Sequence, residues 1–383
     1  MGWMTSRFEL SRGGEAHNVR PMEGLRGFAV FLVFIVHYVT LSNPWIVGHT
    51  SLLRLADALH AIGNTGVDLF FVLSGYLIYG SLIARPTSYR RFMWRRVVRI
   101  YPAFIVVFLL YLALSFSYPA ESKIPPGVPG AATYLLQNFL LLPGLFPITP
   151  IITVAWSLSY ELFYYLAIPV VIGAFGLRSR GETWRIVFFT TLAVSIFVLS
   201  GIYGGPVRLA MFVSGILLYE MAHRGSVASP GNGVAVITLA AGITGMLWIP
   251  LSGSVGIASK TALLFIAYFS LCFACFCNVG TWLPGLYSWT PMRWLGNMSY
   301  SYYLLHGLAL KAAFMIFAIV LPSGVDGALL FWVMMPVAFG LTLIPTAILF
   351  LTIERPLSLS APRKDRPVRQ QSITTGTSEA NAT

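Results

Sequence analysis

Charge is scarce in this chain. Of its 383 residues only 10% are Asp, Glu, Lys or Arg, less than half the share usual in a soluble domain, so a water-facing surface cannot be built around a globule of this size. Acid is scarcer still, with 13 Asp and Glu against 25 Lys and Arg and a formal charge of +12. The basic excess comes in short blocks between long uncharged runs and not as one face, a pattern that points to membrane topology and away from nucleic acid. Cysteine is nearly absent. Cys272, Cys275 and Cys277 stand too close together to cross-link productively, and without nearby His or acid in sequence they predict helix filler and no metal site. Phosphate-loop, dinucleotide and serine-hydrolase elbow motifs are missing, which removes support for ATP-driven pumping, redox cofactor chemistry and a serine-hydrolase domain. What is present is apolar: 57% of residues are hydrophobic and the mean hydropathy is +0.76, the composition of an all-α integral membrane protein.

A spanning helix needs about 20 apolar residues, and that ruler predicts ten spans, at 26–41, 62–84, 100–118, 151–175, 185–202, 209–223, 234–249, 258–279, 300–321 and 328–353. With the amino terminus cytoplasmic, 20 of the 25 Lys and Arg fall on the inside, leaving Arg54, Lys123, Arg208, Lys260 and Lys311 outside or buried. Ten spans with both termini in the cytoplasm satisfy the positive-inside bias. Residues 1–20 are polar, lack a small-residue cleavage site and read as a cytoplasmic segment preceding a retained first span. Residues 21–356 form the transmembrane domain. Residues 357–383, rich in Pro, Arg, Ser and Thr, read as a disordered cytoplasmic tail. The longest external connection is 118–150; Pro125, Pro126 and Pro129 exclude a helix at its start, and 131–142 is expected as a short interfacial or re-entrant helix.

Ionisable groups inside a span are costly and usually face a cavity. His37 follows Arg26 by eleven residues, about three turns, so both share one helix face at roughly 16 Å separation. Arg26 is expected at the cytoplasmic mouth, where a guanidinium suits phosphate, and His37 near mid-membrane, where an imidazole can act as a base; the competing reading of His37 is interhelical packing. Glu161, in Trp156-Ser157-Leu158-Ser159-Tyr160-Glu161, lies about 15 Å from the outer start of its span and is expected to meet His37 and orient it; the competing reading is a Glu paired with an arginine to stabilise the bundle. Six arginines lie between Arg85 and Arg99, more than orientation requires. Arg96 and Arg99, at i and i+3, would face one way and grip a phosphate by forked hydrogen bonds; a basic loop on anionic lipid is the alternative. Asp68 either lines the substrate cavity or satisfies a neighbouring helix terminus, and with Trp156, Ser157 and Tyr160 it completes the substrate-binding candidates. Ser74-Gly75 offers small residues for close helix approach. His306 reads as packing, near the interface among aromatics; His17, His49, His60 and His223 fall in loops or span ends.

Taken in order, these residues resemble the membrane-bound acyltransferase 3 family over nearly the whole chain. The pattern comprises Arg26 and His37 separated by ten residues, Phe70-Phe71 to Gly75, Arg96-x-x-Arg99 before Ile100-Tyr101-Pro102, Trp156-Ser157-Leu158 ending in Glu161, Ser299-Tyr300 to His306, and Glu354-Arg355-Pro356. The resemblance implies ten spans in the cytoplasmic (inner) membrane and transfer of a short acyl group, most often acetyl, from cytoplasmic acyl-CoA. The acceptor it implies is a hydroxyl of a cell-envelope carbohydrate, an exopolysaccharide or a glycosylated metabolite. By carry-over His37 is the catalytic base, Glu161 supports the site, and Arg26, Arg96 and Arg99 serve the coenzyme's phosphates. Some relatives carry an extra span and a fused periplasmic esterase-like domain; this chain is expected to deliver its acyl group unaided or with a separate periplasmic or biosynthetic partner. A transporter or exporter using the same intramembrane charges as a binding site is the rival class, and it would need no acyl-CoA.

Overall fold

A computed structural model describes residues 2–10, 19–224, 228–321 and 327–359. Among them there are helices and no β-strand. In chain order these are α1 (Gly2–Phe8), α2 (Val19–Ser42), α3 (Thr50–Asn64), α4 (Gly66–Ala84), α5 (Tyr89–Ser117), α6 (Val128–Phe139), α7 (Trp156–Ala174) and α8 (Glu182–Tyr203). There follow α9 (Leu209–His223), α10 (Asn232–Trp248), α11 (Gly253–Cys277), α12 (Trp282–Tyr287), α13 (Thr290–Asn297), α14 (Ser299–Val320) and α15 (Gly327–Leu349), the last running into a π-helical stretch, Phe350–Leu359. Eight helical segments among the described residues are long and apolar enough to cross a bilayer. The expected sixth and seventh spans are the shorter apolar helices α9 and α10, of 15 and 17 residues.

Several boundaries differ from expectation for identifiable reasons. The second span is not 62–84 alone: helix runs from Thr50 to Ala84 over 35 residues and bends at Thr65, the junction of α3 and α4. This places His60 within α3 and not in a loop. The basic segment before the third span is helix from Tyr89, so Arg96 and Arg99 belong to α5 itself. Pro129 does not exclude helix; it sits in the first turn of α6, where proline lacks no needed N–H. The last helix does not stop at Ile353. It continues to Leu359 and carries Glu354 into the protein, so the expected tail begins inside an ordered turn. Residues 360–383, like His17, lie outside the described residues.

Helix α2 is the hub. It touches α3, α4 and each of α11 to α15, and approaches that close are possible because small residues stand at the crossings. A Cβ on Gly27 would lie 2.0 Å from the Met292 carbonyl oxygen, and one on Gly296 would lie 1.7 Å from that of Glu23. Helices α4 and α9 pack just as tightly. A Cβ on Gly75 would fall 2.1 Å from the Phe212 carbonyl oxygen, and one on Gly215 would fall 2.0 Å from that of Val72, which bears out the close approach expected at Ser74-Gly75. The struck atoms are backbone and cannot swing away. Gly75→Ala is therefore expected to cost more than the about 1–3 kcal/mol typical of overpacking, read as a lower thermal midpoint of the detergent-solubilised protein; an unchanged midpoint would refute the contact.

Candidate active site

Arg26 and His37 both turn to α14, as eleven-residue spacing on one helix requires. Arg26 Nη2 donates to Ser299 Oγ at 2.8 Å, and the His37 ring stands 4.8 Å from that of His306 between centroids. Because both contacts advance in the same sense along the two helices, α2 and α14 run side by side in one direction. His37 is not at mid-helix: by helical rise it lies about 7 Å from the last residue of α2 and about 27 Å from the first.

Three arginines from two helices converge on one cavity of about 160 Å³. Arg26 enters from α2, and Arg96 and Arg99 enter together from α5, as their i, i+3 spacing predicts. Ser74 of α4, Ser157 and Glu161 of α7, and Phe70, Tyr300 and Tyr303 line the same cavity. Arg96 lies over the rings of Phe92 and Tyr165 at 5.4 and 5.5 Å, and its Nε is buried without a hydrogen-bond partner among the described residues. That unfilled donor, in a wall with three positive groups and the single carboxylate of Glu161, makes the cavity receptive to an anionic or strongly hydrogen-bond-accepting ligand.

Arg99 is held by a residue that sequence reading left among the family motifs and gave no role. Glu354 is fully buried and pairs with Arg99 Nη1 at 2.7 Å. Its second oxygen accepts from Ser301 N at 3.0 Å and from Ser301 Oγ at 2.5 Å. Arg99 also covers the Tyr300 ring at 5.7 Å, while the Tyr300 hydroxyl donates to the Ile100 carbonyl at 2.8 Å. The signal for it in the sequence is an acid directly after the apolar run that ends at Ile353.

Glu161 does not meet His37. Its Oε1 accepts from Ser74 Oγ at 3.1 Å and from the Tyr165 hydroxyl, so the carboxylate is spent on the arginine cavity. The neighbour of His37 is His306, which is fully buried and packed among aromatic rings, as expected, stacking on Tyr302 at 5.3 Å. His306 Nδ1 lies 2.9 Å from the Tyr302 carbonyl oxygen. A carbonyl only accepts, so in the neutral ring this bond assigns the proton to Nδ1 and leaves a lone pair on Nε2, and that nitrogen has no partner among the described residues. Tyr303 stands between the two regions. Its hydroxyl bonds to Ser157 Oγ at 2.7 Å and to the Val154 carbonyl at 3.1 Å, its ring lies 5.9 Å from His306 and 6.3 Å from Phe70, and it lines the cavity.

The remaining substrate-binding candidates separate. Ser157 lines the cavity, whereas Asp68, Trp156 and Tyr160 do not. Asp68 is buried and faces Arg208 at 3.6 Å; Arg208 covers Trp156 at 5.3 Å, and Tyr160 stacks on Phe71. Asp68 thus faces Arg208 and neither lines the cavity nor accepts from a helix terminus among the described residues.

Removing one member of a buried ion pair leaves the other uncompensated, typically at about 3–5 kcal/mol. Arg99→Met should therefore destabilise the protein markedly, and markedly less when Glu354 is already Gln, with the coupling read from a double-mutant cycle of thermal midpoints. Additive losses would show that the pair carries no energy of its own.

The sequence profile described as an acyltransferase domain matches residues 21–351. Among curated proteins, the chain is 26% identical over 322 residues to the peptidoglycan O-acetyltransferase OatA of Listeria monocytogenes, covering 75% of this chain and 49% of that protein. It is 27% identical over 321 residues to the acyltransferase MdmB of Streptomyces mycarofaciens, covering 76% and 78% respectively. It is 26% identical over 267 residues to the exopolysaccharide production protein ExoZ of Rhizobium meliloti, covering 65% and 77%. The chain spans about half the length of OatA and of the putative peptidoglycan O-acetyltransferase YrhL of Bacillus subtilis. No solved structure matches it. With the profile spanning residues 21–351, from the Arg26 motif in α2 to just short of Glu354, the chain belongs to the acyltransferase 3 family.

Proposed function

We propose that the protein is a multi-pass O-acyltransferase of the inner membrane that moves a short acyl group, acetyl foremost, from cytoplasmic acyl-CoA to a carbohydrate hydroxyl. The observation that carries this reading is the convergence of Arg26, Arg96 and Arg99 on one cavity, on the α14-facing side of the helix that presents His37 further along. The names of OatA, MdmB and ExoZ support acyl transfer and polysaccharide-related acceptors. The positive-inside distribution supports an arginine end in the cytoplasm, with both termini there.

A cavity of about 160 Å³ has room for the acyl thioester and part of its pantetheine arm and not for the nucleotide. The coenzyme's phosphates then lie at the mouth, against Arg96 and Arg99, where fork-shaped guanidinium groups make paired charge-assisted bonds. Glu354 keeps the Arg99 guanidinium fixed, so little ordering cost remains for the ligand. The thioester end reaches past Tyr303 toward the histidine pair.

His37 serves as the general base. It takes the proton of the acceptor hydroxyl as the oxygen attacks the thioester carbonyl; the new C–O bond forms, the C–S bond breaks, and the proton passes to the departing thiolate. We assign His306 the orienting role expected of Glu161: its ring stands 4.8 Å from that of His37 and the lone pair on its Nε2 is unpartnered among the described residues, so a rotation of the rings would let it accept a His37 N–H and leave the second His37 nitrogen free for the hydroxyl. An acyl-imidazole on His37 that the alcohol then opens is the covalent version of the same chemistry.

Purified protein incubated with radiolabelled acetyl-CoA and saccharide acceptors should transfer label without an ion gradient; ion-coupled flux with no acyl transfer would establish the transporter class. His37→Ala is expected to lower transfer by at least about a hundredfold, the low end of general-base contributions, while inserting and melting like the parent. Full activity in that variant would remove the base assignment. Arg96→Ala is expected to raise the KM for acetyl-CoA with little change in kcat, the signature of lost ground-state binding.

A further inference from the structure

A second concavity opens along the α2–α3 hairpin, beginning two residues beyond His37 on α2. It measures about 220 Å³ and is lined by Val39, Thr40, Asn43, Ala56, Asp57 and His60, from the far end of α2, the turn after it, and α3. None of these residues belongs to the arginine cavity. We propose that this groove is the acceptor's binding site and that it takes a neutral, polyhydroxylated chain, a saccharide, presenting one hydroxyl to His37. The inference rests on the acyltransferase reading above and adds the place and chemistry of its second substrate.

The register of the α2–α3 hairpin locates the groove. Gly63 lets α3 press on α2, for a Cβ there would lie 2.6 Å from the Leu32 carbonyl oxygen and 2.8 Å from Val36 N. The helices run antiparallel from that contact, so His60, about one turn before Gly63, comes level with Val36 to Thr40, beside His37. Asp57, one turn earlier, comes level with Thr40 to Asn43. His60 is therefore the deep end of the groove and Asn43 its rim. His37 is half-buried whereas His306 beside it is sealed, so of the two imidazoles His37 is the one an acceptor can reach, and the groove begins at Val39, two residues further along α2.

Polarity argues against lipid as the occupant. Along α3 the residues Ser51, Arg54, Asp57 and His60 follow one another at i, i+3 and all are exposed, a ridge that winds along the helix surface toward α2. Ionisable groups in a span are costly against hydrocarbon and are found lining water-filled paths. A carboxylate, an amide, an imidazole and a hydroxyl are together the donors and acceptors that match sugar hydroxyls. No cation lines the groove, and Asp57 repels a phosphate or carboxylate at its centre, so the acceptor is uncharged where it binds. Donor and acceptor then approach the same imidazole from opposite ends of the bundle, and water reaching the thioester has to come through the groove that the acceptor fills.

The test uses the full-length protein in detergent with radiolabelled acetyl-CoA and three neutral probes: chitotetraose, maltotetraose and methyl glucoside. Asp57→Asn keeps shape and removes the charge; Asn43→Trp obstructs the rim. For any probe that the parent acetylates, Asp57→Asn is expected to raise the acceptor KM about tenfold, as loss of a hydrogen bond to a charged group does, while the acetyl-CoA KM moves less than about twofold. Asn43→Trp should raise the acceptor KM further, again with little effect on acetyl-CoA. An unchanged acceptor KM in both variants, or equal rises in both KM values, overturns the groove. Acetyl-CoA breakdown by the parent with no label on any probe overturns the neutral-saccharide class. If the parent turns over no acetyl-CoA at all, the acyltransferase reading fails, and the acceptor site fails with it.

Discussion

Glu354 is a carboxylate with no accessible surface in a bundle made almost wholly of apolar helices. An ion so placed is tolerable only where its charge is matched and both oxygens are hydrogen-bonded. Arg99 supplies the charge, and the backbone and hydroxyl of Ser301 supply the remaining bonds. That requirement ties α5, the start of α14 and the π-helical end of the chain into one knot. It also points the Arg99 guanidinium, and Arg96 one turn before it, into the cavity that Arg26 enters from α2. A π-helical stretch is the geometry that lets the last helix carry Glu354 inward while Arg355 turns out to the carbonyls of Ser6 and Arg7 at the amino-terminal helix.

The second constraint is backbone proximity. Apolar side chains attract one another no more strongly than they attract lipid, so helix pairs in a membrane are set by how closely their backbones can come. Gly27 and Gly296 bring α2 against α13, Gly75 and Gly215 bring α4 against α9, and Gly63 brings α3 against α2. Each contact sets a register, and each register places a functional side chain: Arg26 next to Gly27, Ser74 next to Gly75, and His60 near Gly63. The groups that would do chemistry are thereby carried on parts of the bundle with the least freedom to shift, as a preorganised site requires.

The two polar regions differ in character. One is cationic, walled by Arg26, Arg96 and Arg99, and suited to a phosphorylated donor; the other holds Thr40, Asn43, Asp57 and His60 and suits uncharged hydroxyls. Phe70 and Tyr303 line the first, and the Tyr303 ring leads from it to the paired rings of His306 and His37, the latter one turn before Thr40 on α2.

The amino-acid sequence determined the class of the molecule, the placement of its apolar helices and the shared face of Arg26 and His37, because these depend on local hydropathy and helical periodicity, which are properties of neighbouring residues. It likewise placed Arg96 and Arg99 together, one turn apart. Only the tertiary structure decided that Glu161 serves the arginine cavity, that His306 is the partner of His37, that His60 reaches the same region, and that Glu354 is drawn inside. Each of those facts depends on which faces of distant helices meet. That choice is made by glycine contacts between backbones and by the pairing of buried charges, some close in the chain, as in the α2–α3 hairpin, and others as far apart as Arg99 and Glu354, 255 residues, where no local pattern carries the information.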